Sequence, residues 1–488
     1  MKNETDPGFL DIAGLIAAYG SGGLSPVDVV AAAVEQAHAC RSTLNAFNEI
    51  AAEAAIAQAR LAETAYRRGD STGRLAGVPV TVKDNIPTAG IRTTFGSLAF
   101  AANVPRVDAV SVQRLRHEGA IIIGKTTTPE FACKQTTNSA LSGVTRNPWN
   151  LALTPGGSSG GSAASIAAGI GHLSLVTDGG GSARLPAACT GIVGLKPTFG
   201  KIPFDTALDV FGGLGHIGLM ARSVRDVAAA LAVTAGPYPS DPLSLAHGTA
   251  SPWMETRSEL PLSGLRIGWR ERLRDEAIDP SLLQPLENAL RVFERLGASI
   301  HQISGDIEPP LEIWRMLQHA VWAERYADNP DVMERIDPVI AAGIRHVEAL
   351  PARALQAAHH GRTRLFRRVQ HGLTICDIMA TPALARPPLP AEHPGSGQID
   401  VAGRPAGDIR EAWAPHLGLV TMTGHPALTL NCGWTPGGLP VGLHLVAPWH
   451  QEALLLRTAM AFEDALPEAA WHLPDASPPT PEPVRTPL

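Results

Sequence analysis

The stretch TPGGSSGGSAASIAAGIGHLSLVTDGGGSARLP, residues 154–186, decides the fold expected of this chain. It contains two glycine-rich loops, one around Ser158 and one around Ser182, separated by an alanine-rich segment and a short apolar run. Alanine favours helix, and a short apolar run is typical of a buried strand, so the stretch predicts a loop, a helix, a strand and a second loop. Glycines beside each serine let the backbone approach a ligand closely.

A lysine closes the strand predicted upstream of this stretch. Residues 78–85 read VPVTVKDN, in which Val78, Val80 and Val82 alternate as in a buried strand that ends on Lys83. A lysine together with two serines in glycine loops is the outline of a nucleophilic hydrolase that needs no histidine.

Helical and strand patterns alternate through most of the chain, which favours an α/β fold. Ser25 and Pro26 form a strong helix start, and Asp6 is a candidate cap for a helix through Tyr19. The other predicted helices are 26–40, 49–68, 107–118, 162–169, 222–235, 286–296 and 452–465, with a mainly helical region at 309–372. The predicted strands are 78–83, 120–124, 173–177, 265–269, 299–303, 377–381, 427–433 and 441–446.

Composition excludes several classes of function. The chain has 488 residues, 44% of them hydrophobic and 18% charged, as in a globular protein with a large core. Its formal net charge of −6 gives no support to a nucleic-acid or membrane-surface partner. No apolar run reaches the ~18 residues of a membrane span, and the first residues do not resemble a signal peptide.

The cysteines and histidines indicate neither disulfides nor a metal. The five cysteines are scattered and form no CxxC pair, so we expect reduced thiols and a cytoplasmic protein. Cys133 and Cys189 lie near the glycine loops but are interpreted as small buried residues. The seventeen histidines show no ligand spacing such as HExxH, so no metal or other cofactor is expected.

Several motifs in order resemble those of the amidase signature family. They are Lys83, GGSSGGS at 156–162 and DGGGSARLP at 178–186, together with TRNPW at 145–149, GLKPT at 194–198 and GLPVG at 438–442. The similarity extends from about residue 24 to about residue 463. It implies the amidase signature fold: one large domain whose mixed central sheet is covered by helices on both faces.

The resemblance also implies a division of the chain. Residues 1–70 would form an N-terminal helical segment packed on the core, and residues 71–470 the α/β domain. Within that domain the signature core would span about 78–200, and a variable region at about 309–410 would shape the substrate pocket. The proline-rich residues 475–488 are expected to be disordered.

The catalytic roles follow from the same resemblance. Ser182 would be the nucleophile, and the amides of Gly179, Gly180, Gly181 and Ser182 would form an oxyanion hole. Ser158, preceded by a cis peptide bond, would relay the proton of Ser182 to Lys83. Burial would lower the pKa of Lys83 so that it can act as a neutral base.

Four neighbouring residues would support these groups. Gly157 and Ser159 flank Ser158, and Asp178 and Arg184 are expected to pair with each other or with loop backbone rather than to touch substrate. Two other interpretations of the first loop fail. The loop lacks the Lys-Ser/Thr of a phosphate-binding P-loop. It fits G-x-S-x-G on Ser159, but residues 147–155 are not the strand that a nucleophile elbow requires.

Two positions depart from the common family pattern. Gly179 replaces the threonine or isoleucine of many relatives, which would open space in the acyl pocket. Lys134 falls where the family varies, so it would face either substrate or solvent. The helical segment 314–326 and the proline-rich segment 385–405 are expected to shape the pocket, with 385–407 as a rim or lid.

The expected function is hydrolysis of the C–N bond of a small aryl or alkyl amide, with carbamates and esters as related candidates. The alternative is the glutaminase component of a tRNA-dependent amidotransferase, which would co-purify with a tRNA-binding partner. A non-catalytic binding protein is disfavoured because the Lys–Ser–Ser set is intact. A small molecule is the expected partner, and the sequence is compatible with a monomer or a homodimer.

The two adjacent serines give a first test. We expect Ser158→Ala to reduce amide turnover far more than Ser159→Ala, because only Ser158 is assigned to the proton relay. The measurement is the turnover of one amide by both variants. The reverse order would favour a nucleophile elbow on Ser159.

Overall fold

The computed structural model describes residues 6–70, 72–247 and 262–466. The tail predicted to be disordered, residues 475–488, lies outside the described residues. Within the described residues, no helix combines the length and the apolar character needed to cross a membrane.

The strands are β1 (Phe47–Ile50), β2 (Pro79–Lys83), β3 (Ile121–Thr126), β4 (Asn138–Ser139), β5 (Gly143–Val144), β6 (Leu173–Asp178), β7 (Val193–Lys196), β8 (His216–Ala221), β9 (Arg266–Trp269), β10 (Ser299–Gln302), β11 (Ile378–Pro382), β12 (Gln398–Val401), β13 (Arg404–Asp408), β14 (Ala427–Trp434) and β15 (Pro440–Val446).

The helices are α1 (Ile12–Gly20), α2 (Pro26–Ala39), α3 (Ala52–Arg68), α4 (Val110–His117), α5 (Gly160–Ala167), α6 (Arg184–Thr190), α7 (Val224–Thr234), α8 (Pro280–Arg295), α9 (Leu311–Tyr326), α10 (Pro330–Met333), α11 (Pro338–Glu348), α12 (Ala352–Ile375), α13 (Ile409–Ala412), α14 (Pro415–Thr423) and α15 (Glu452–Ala465).

One mixed sheet of 11 strands runs through the molecule in the order β1-β3-β2-β6-β8-β7-β14-β15-β11-β9-β10. β2 is parallel to both β3 and β6, and β9 is parallel to both β10 and β11. The remaining neighbours in the sheet are antiparallel. The prediction of a single large α/β domain with a mixed central sheet is confirmed.

Both faces of the sheet are covered by helices, as β3 illustrates. Successive side chains of a strand point to opposite faces. Ile122 packs in one apolar cluster with Leu115 of α4, whereas Ile121 and Ile123 pack in another with Val30 of α2. A strand buried on both sides has no polar face, which explains the uninterrupted apolar run of its sequence.

The parallel pairing of β2 with β6 determines where the functional side chains meet. Val82 of β2 lies opposite Leu175 of β6, so both strands finish at the same edge of the sheet. Lys83 ends β2 there, and Asp178 ends β6 immediately before the second glycine loop. The first glycine loop leads into α5, which packs beneath the same edge.

The structure also differs from the sequence-based predictions in its shorter elements. The predicted helix at 49–68 begins at Ala52, because residues 47–50 pair as edge strand β1 with β3. Strands β7 and β8 were not predicted, since each is defined by pairing with distant partners. The predicted loop at 385–407 contains the hairpin of β12 and β13. Asp6 caps a 3₁₀ turn at Pro7–Phe9, and Asp11 caps α1.

Candidate active site

Lys83 is fully buried at the end of β2 and has only hydroxyl groups as hydrogen-bond partners. Its Nζ lies 2.6 Å from Ser158 Oγ and 3.1 Å from Thr177 Oγ1. Burial lowers the pKa of Lys83 to about 7, and the charge of Asp178 opposes this shift. The side chain can therefore be neutral near neutral pH, as a base must be.

The first glycine loop holds Ser158 against Lys83. The peptide bond between Gly157 and Ser158 is cis. A Cβ on Gly157 would lie 2.6 Å from the carbonyl oxygen of Thr136, so only glycine fits between the loop and its neighbour. The hydroxyl of the adjacent Ser159 is turned toward the backbone of β6, with its Oγ 3.4 Å from Thr177 O.

Asp178 organises the second glycine loop. Its Oδ1 accepts a hydrogen bond from the Gly181 amide at 2.8 Å, and its Oδ2 accepts one from the Ala183 amide at 3.1 Å. The loop thus curls around the carboxylate, which leaves Ser182 partly exposed at the turn. Gly181 has a φ of 114°, a conformation that favours glycine.

The four amides expected to form an oxyanion hole are not equivalent. The Gly181 amide is already bound to Asp178, so it is not available to a substrate oxygen. Within residues 6–70, 72–247 and 262–466, the amides of Gly179, Gly180 and Ser182 have no such acceptor. The expectation of four converging donors is therefore corrected to these three.

Asp178 and Arg184 form a fully buried ion pair, as expected from the sequence. Arg184 Nε lies 3.0 Å from Asp178 Oδ2, and Nη2 lies 3.0 Å from Oδ1. Burial by itself would raise the pKa of Asp178, but the Arg184 guanidinium outweighs it and keeps that pKa below its usual range. Thr421 and His444 extend the network, with hydrogen bonds of 2.7 and 3.0 Å to Arg184.

A cavity of about 260 Å³ opens onto Ser158 and Ser182. Helix α9 contributes Trp314 and Trp322 to its wall, as predicted for segment 314–326. The predicted segment 385–405 does not line it. The opposite wall instead comes from the connection between β7 and β8, which the sequence did not identify. Members of this wall are Phe199, Ile202, Phe204, Leu208, Val210, Leu214 and His216.

Lys134 also lines the cavity, but it faces neither free solvent nor an open position for substrate. Its Nζ lies 2.6 Å from Asp337 Oδ2, and both side chains are about 90% buried. Cys133 and Cys189 are buried in apolar clusters, as interpreted from the sequence.

Three further polar residues at the site were not identified from the sequence. Thr177 accepts hydrogen bonds from Lys83 Nζ and from Asn85 Nδ2, the latter at 2.9 Å. Trp314 Nε1 lies 2.8 Å from Gly179 O. Asn85 follows Lys83 closely in the chain, which is a signal that the sequence offers; Trp314 reaches the loop only through the fold. Within the described residues, no group of three or more His, Cys, Asp or Glu side chains could hold a metal ion.

The chain matches known proteins over most of its length. The Amidase family model covers residues 28–456. An acylamidase of Rhodococcus erythropolis is 33% identical over 464 residues, which cover 93% of this chain and 95% of that protein. The glutamyl-tRNA(Gln) amidotransferase of Symbiobacterium thermophilum has an A-type component that is 34% identical over 470 residues, with coverages of 91% and 94%.

Solved structures give the same picture. A bacterial aryl acylamidase of the amidase signature enzymes superimposes with a TM-score of 0.88 at 25% identity, covering 97% of this chain and 99% of that one. A 6-aminohexanoate cyclic dimer hydrolase gives a TM-score of 0.85 at 28% identity, with coverages of 96% and 99%.

Removal of Arg184 tests the buried ion pair. Arg184→Met leaves the Asp178 carboxylate buried without its counter-charge, so we expect a loss of about 3–5 kcal/mol in the free energy of unfolding. The measurement is urea denaturation near neutral pH.

The matched control is Arg225→Met, which breaks the exposed pair with Asp464 at 2.7 Å. Exposed pairs contribute about 0–1 kcal/mol, so this variant should unfold close to wild type. Equal losses in the two variants would contradict the proposed importance of the buried pair.

Proposed function

Since the chain belongs to the amidase signature family and is an amide-hydrolysing enzyme, we propose that it cleaves small aryl or alkyl amides through an acyl-enzyme on Ser182. The observation that carries this proposal is the 2.6 Å contact between Lys83 Nζ and Ser158 Oγ, in a buried position that opens onto the same cavity as Ser182. A buried amine bound to a hydroxyl can receive a proton that the hydroxyl relays.

In the proposed first step, Ser182 Oγ attacks the carbonyl carbon of the amide. Ser158 takes the proton of Ser182 and passes its own proton to neutral Lys83. The negative charge that develops on the carbonyl oxygen is stabilised by the amides of Gly179, Gly180 and Ser182. Lys83 is suited to this role because burial favours its uncharged form.

In the second half, the protons return along the same path. The C–N bond breaks as Ser158 donates a proton to the leaving nitrogen and recovers one from Lys83, which yields an amine and the Ser182 ester. Water then attacks the ester, giving up its proton to the same relay, and the carboxylic acid is released with Ser182 restored. Neither half consumes a cofactor.

The walls of the cavity support a substrate with an apolar group. Phe131, Trp314 and Trp322 contribute aromatic surface, and Phe199 and Ile202 lie on the other side. Aromatic side chains bind flat apolar groups well. The acylamidase among the relatives supports the same substrate class. Carbamates and esters fit the same chemistry, because both present a carbonyl carbon to Ser182.

The alternative function is that of the glutaminase component of a tRNA-dependent amidotransferase. It is favoured by relatives of this kind at 34% identity, as similar to the chain as the acylamidase is. The two functions differ in assembly: an amidase acts as a single chain or a homodimer, whereas a glutaminase component co-purifies with a tRNA-binding partner. The five cysteines are all unpaired, which supports action in a reducing compartment such as the cytoplasm.

A substrate panel with a nucleophile variant tests the function. We expect the purified chain to hydrolyse benzamide or 4′-nitroacetanilide faster than glutamine, and phenyl carbamate to show whether carbamates are accepted. Ser182→Ala should abolish this turnover, because the change removes the attacking hydroxyl from a partly exposed turn without adding bulk. Thermal unfolding of the variant should match wild type.

Two results would contradict this proposal. Retention of more than a few per cent of the activity by Ser182→Ala would exclude Ser182 as the nucleophile. Turnover of glutamine alone, together with stable co-purification of a second protein, would establish the amidotransferase alternative.

The pH dependence of the reaction tests Lys83 as the base. Because the neutral amine is the active form and the pKa of Lys83 is lowered to about 7, kcat/KM should be low in acid, rise through pH 7 and level off above pH 8. Lys83→Arg should be inactive at every pH, since a guanidinium does not deprotonate in a protein. The measurement is a pH–rate profile from pH 5 to 10.

Lys125 provides a matched control for that profile. It is also fully buried, and burial lowers its pKa to about 7, but its Nζ donates to Thr88 and Thr93 outside the cavity. Lys125→Met should keep the rise in kcat/KM at the same pH, even if the fold is less stable. Loss of the rise in Lys125→Met, or an active Lys83→Arg, would overturn the assignment of the base.

A further inference from the structure

The peptide planes of the second glycine loop are each fixed by a different partner. The Gly181 amide is bound by Asp178, and the Gly181 carbonyl accepts the amides of Arg184 and Leu185 at 3.0 and 2.8 Å. The preceding plane, between Gly179 and Gly180, is held from outside the loop. Its carbonyl oxygen accepts the indole N–H of Trp314, 135 residues away in sequence, at 2.8 Å.

Little else restrains that plane. Glycine has no side chain to limit rotation of the neighbouring peptide, and a Cβ on Gly179 would meet nothing within 4 Å. On the Gly180 side, a Cβ would lie 3.2 Å from Trp314 Nε1, so the indole also packs closely against the loop. The hydrogen bond from Trp314 is therefore the main contact that selects one orientation of the plane.

The direction of the Gly180 amide follows from peptide geometry. In a planar trans peptide, the carbonyl and the N–H of the same unit point in opposite directions. Since the Gly179 carbonyl points to Trp314, the Gly180 N–H points away from the indole, and within the described residues it has no acceptor. An amide fixed in this way needs no reorganisation when charge develops on a substrate oxygen.

Trp314 is itself held in place by Arg410. The Arg410 guanidinium lies over the indole, 4.2 Å from the ring centroid, and donates a hydrogen bond to the carbonyl of Cys133. A cation over an indole face is attracted by the ring quadrupole. Trp314 comes from α9 and Arg410 from α13, so two elements remote from the glycine loops in sequence meet at one peptide.

We propose that Trp314, held by Arg410, is a positioning residue that orients the Gly180 amide toward the carbonyl oxygen of the substrate. This inference rests on the proposed acyl-enzyme chemistry at Ser182. It assigns to α9 a part in catalysis as well as in shaping the pocket. A contact that acts on the developing oxyanion affects the transition state more than the bound substrate, so its loss should appear in kcat rather than in KM.

The test is Trp314→Phe, which keeps an aromatic ring but removes the N–H donor. We expect kcat for 4′-nitroacetanilide to fall about ten- to a hundredfold with KM within about twofold, less than the full loss of an oxyanion donor. Arg410→Met should lower kcat in the same direction but by less, because the indole donor remains. This second variant keeps the proposal testable if Trp314→Phe is unstable.

Trp149→Phe is the matched control. The Trp149 indole also donates to a backbone carbonyl, Thr190 O, at 2.8 Å, but it lies outside the cavity. This variant should keep kcat within about twofold of wild type, so that a general effect of losing a buried tryptophan N–H is separated from an effect on the loop. Thermal unfolding of all variants checks that they fold.

Three outcomes would overturn the positioning role. They are an unchanged kcat in a folded Trp314→Phe, a rise in KM with kcat preserved, and an equal loss of kcat in Trp149→Phe. Ser182→Ala in the same assay distinguishes the two levels of inference. If Ser182→Ala is inactive while Trp314→Phe is fully active, the positioning role fails and the proposed function stands; an active Ser182→Ala overturns the proposed function itself.

Discussion

Burial of the Lys83 amine among hydroxyl groups is the constraint on which the rest of the site depends. A charged ammonium without a carboxylate partner is costly in such a place, so burial moves the pKa of Lys83 to about 7. Asp178 is the nearby acid that opposes this shift. Its carboxylate is instead occupied by Arg184 and by two loop amides. The ion pair thereby helps to keep the lysine available as a base.

The same carboxylate links electrostatics to backbone geometry. By binding the Gly181 amide, Asp178 removes one donor from the proposed oxyanion hole and fixes the turn that presents Ser182. The remaining donors owe their directions to partners outside the loop, namely Trp314 and the first turn of α6. A chain of glycines has little conformational preference of its own. The surrounding structure supplies the order that the loop lacks.

The mixed sheet makes these contacts possible. Two parallel neighbours, β2 and β6, end at one edge and bring Lys83 next to Thr177 and Asp178. Antiparallel β8 then pairs with β6 along its length and begins at His216, next to the cavity. Parallel neighbours require a crossover connection, and here the crossover carries the first glycine loop and α5. The catalytic edge is thus a consequence of strand order.

The sequence by itself determined the α/β class, the Lys83 strand, the two glycine loops and the pairing of Asp178 with Arg184, because each depends on residues that are close in the chain or on a continuous motif. Only the tertiary structure decided that residues 197–217 form a cavity wall in place of 385–405, that Lys134 is neutralised by Asp337, and that Trp314 holds Gly179. These contacts join residues more than a hundred positions apart or depend on strands such as β7 and β8, whose existence is defined by their partners. Local patterns of hydrophobicity and turn residues carry no record of which distant segments will meet, so this part of the site became visible only once the sheet was assembled.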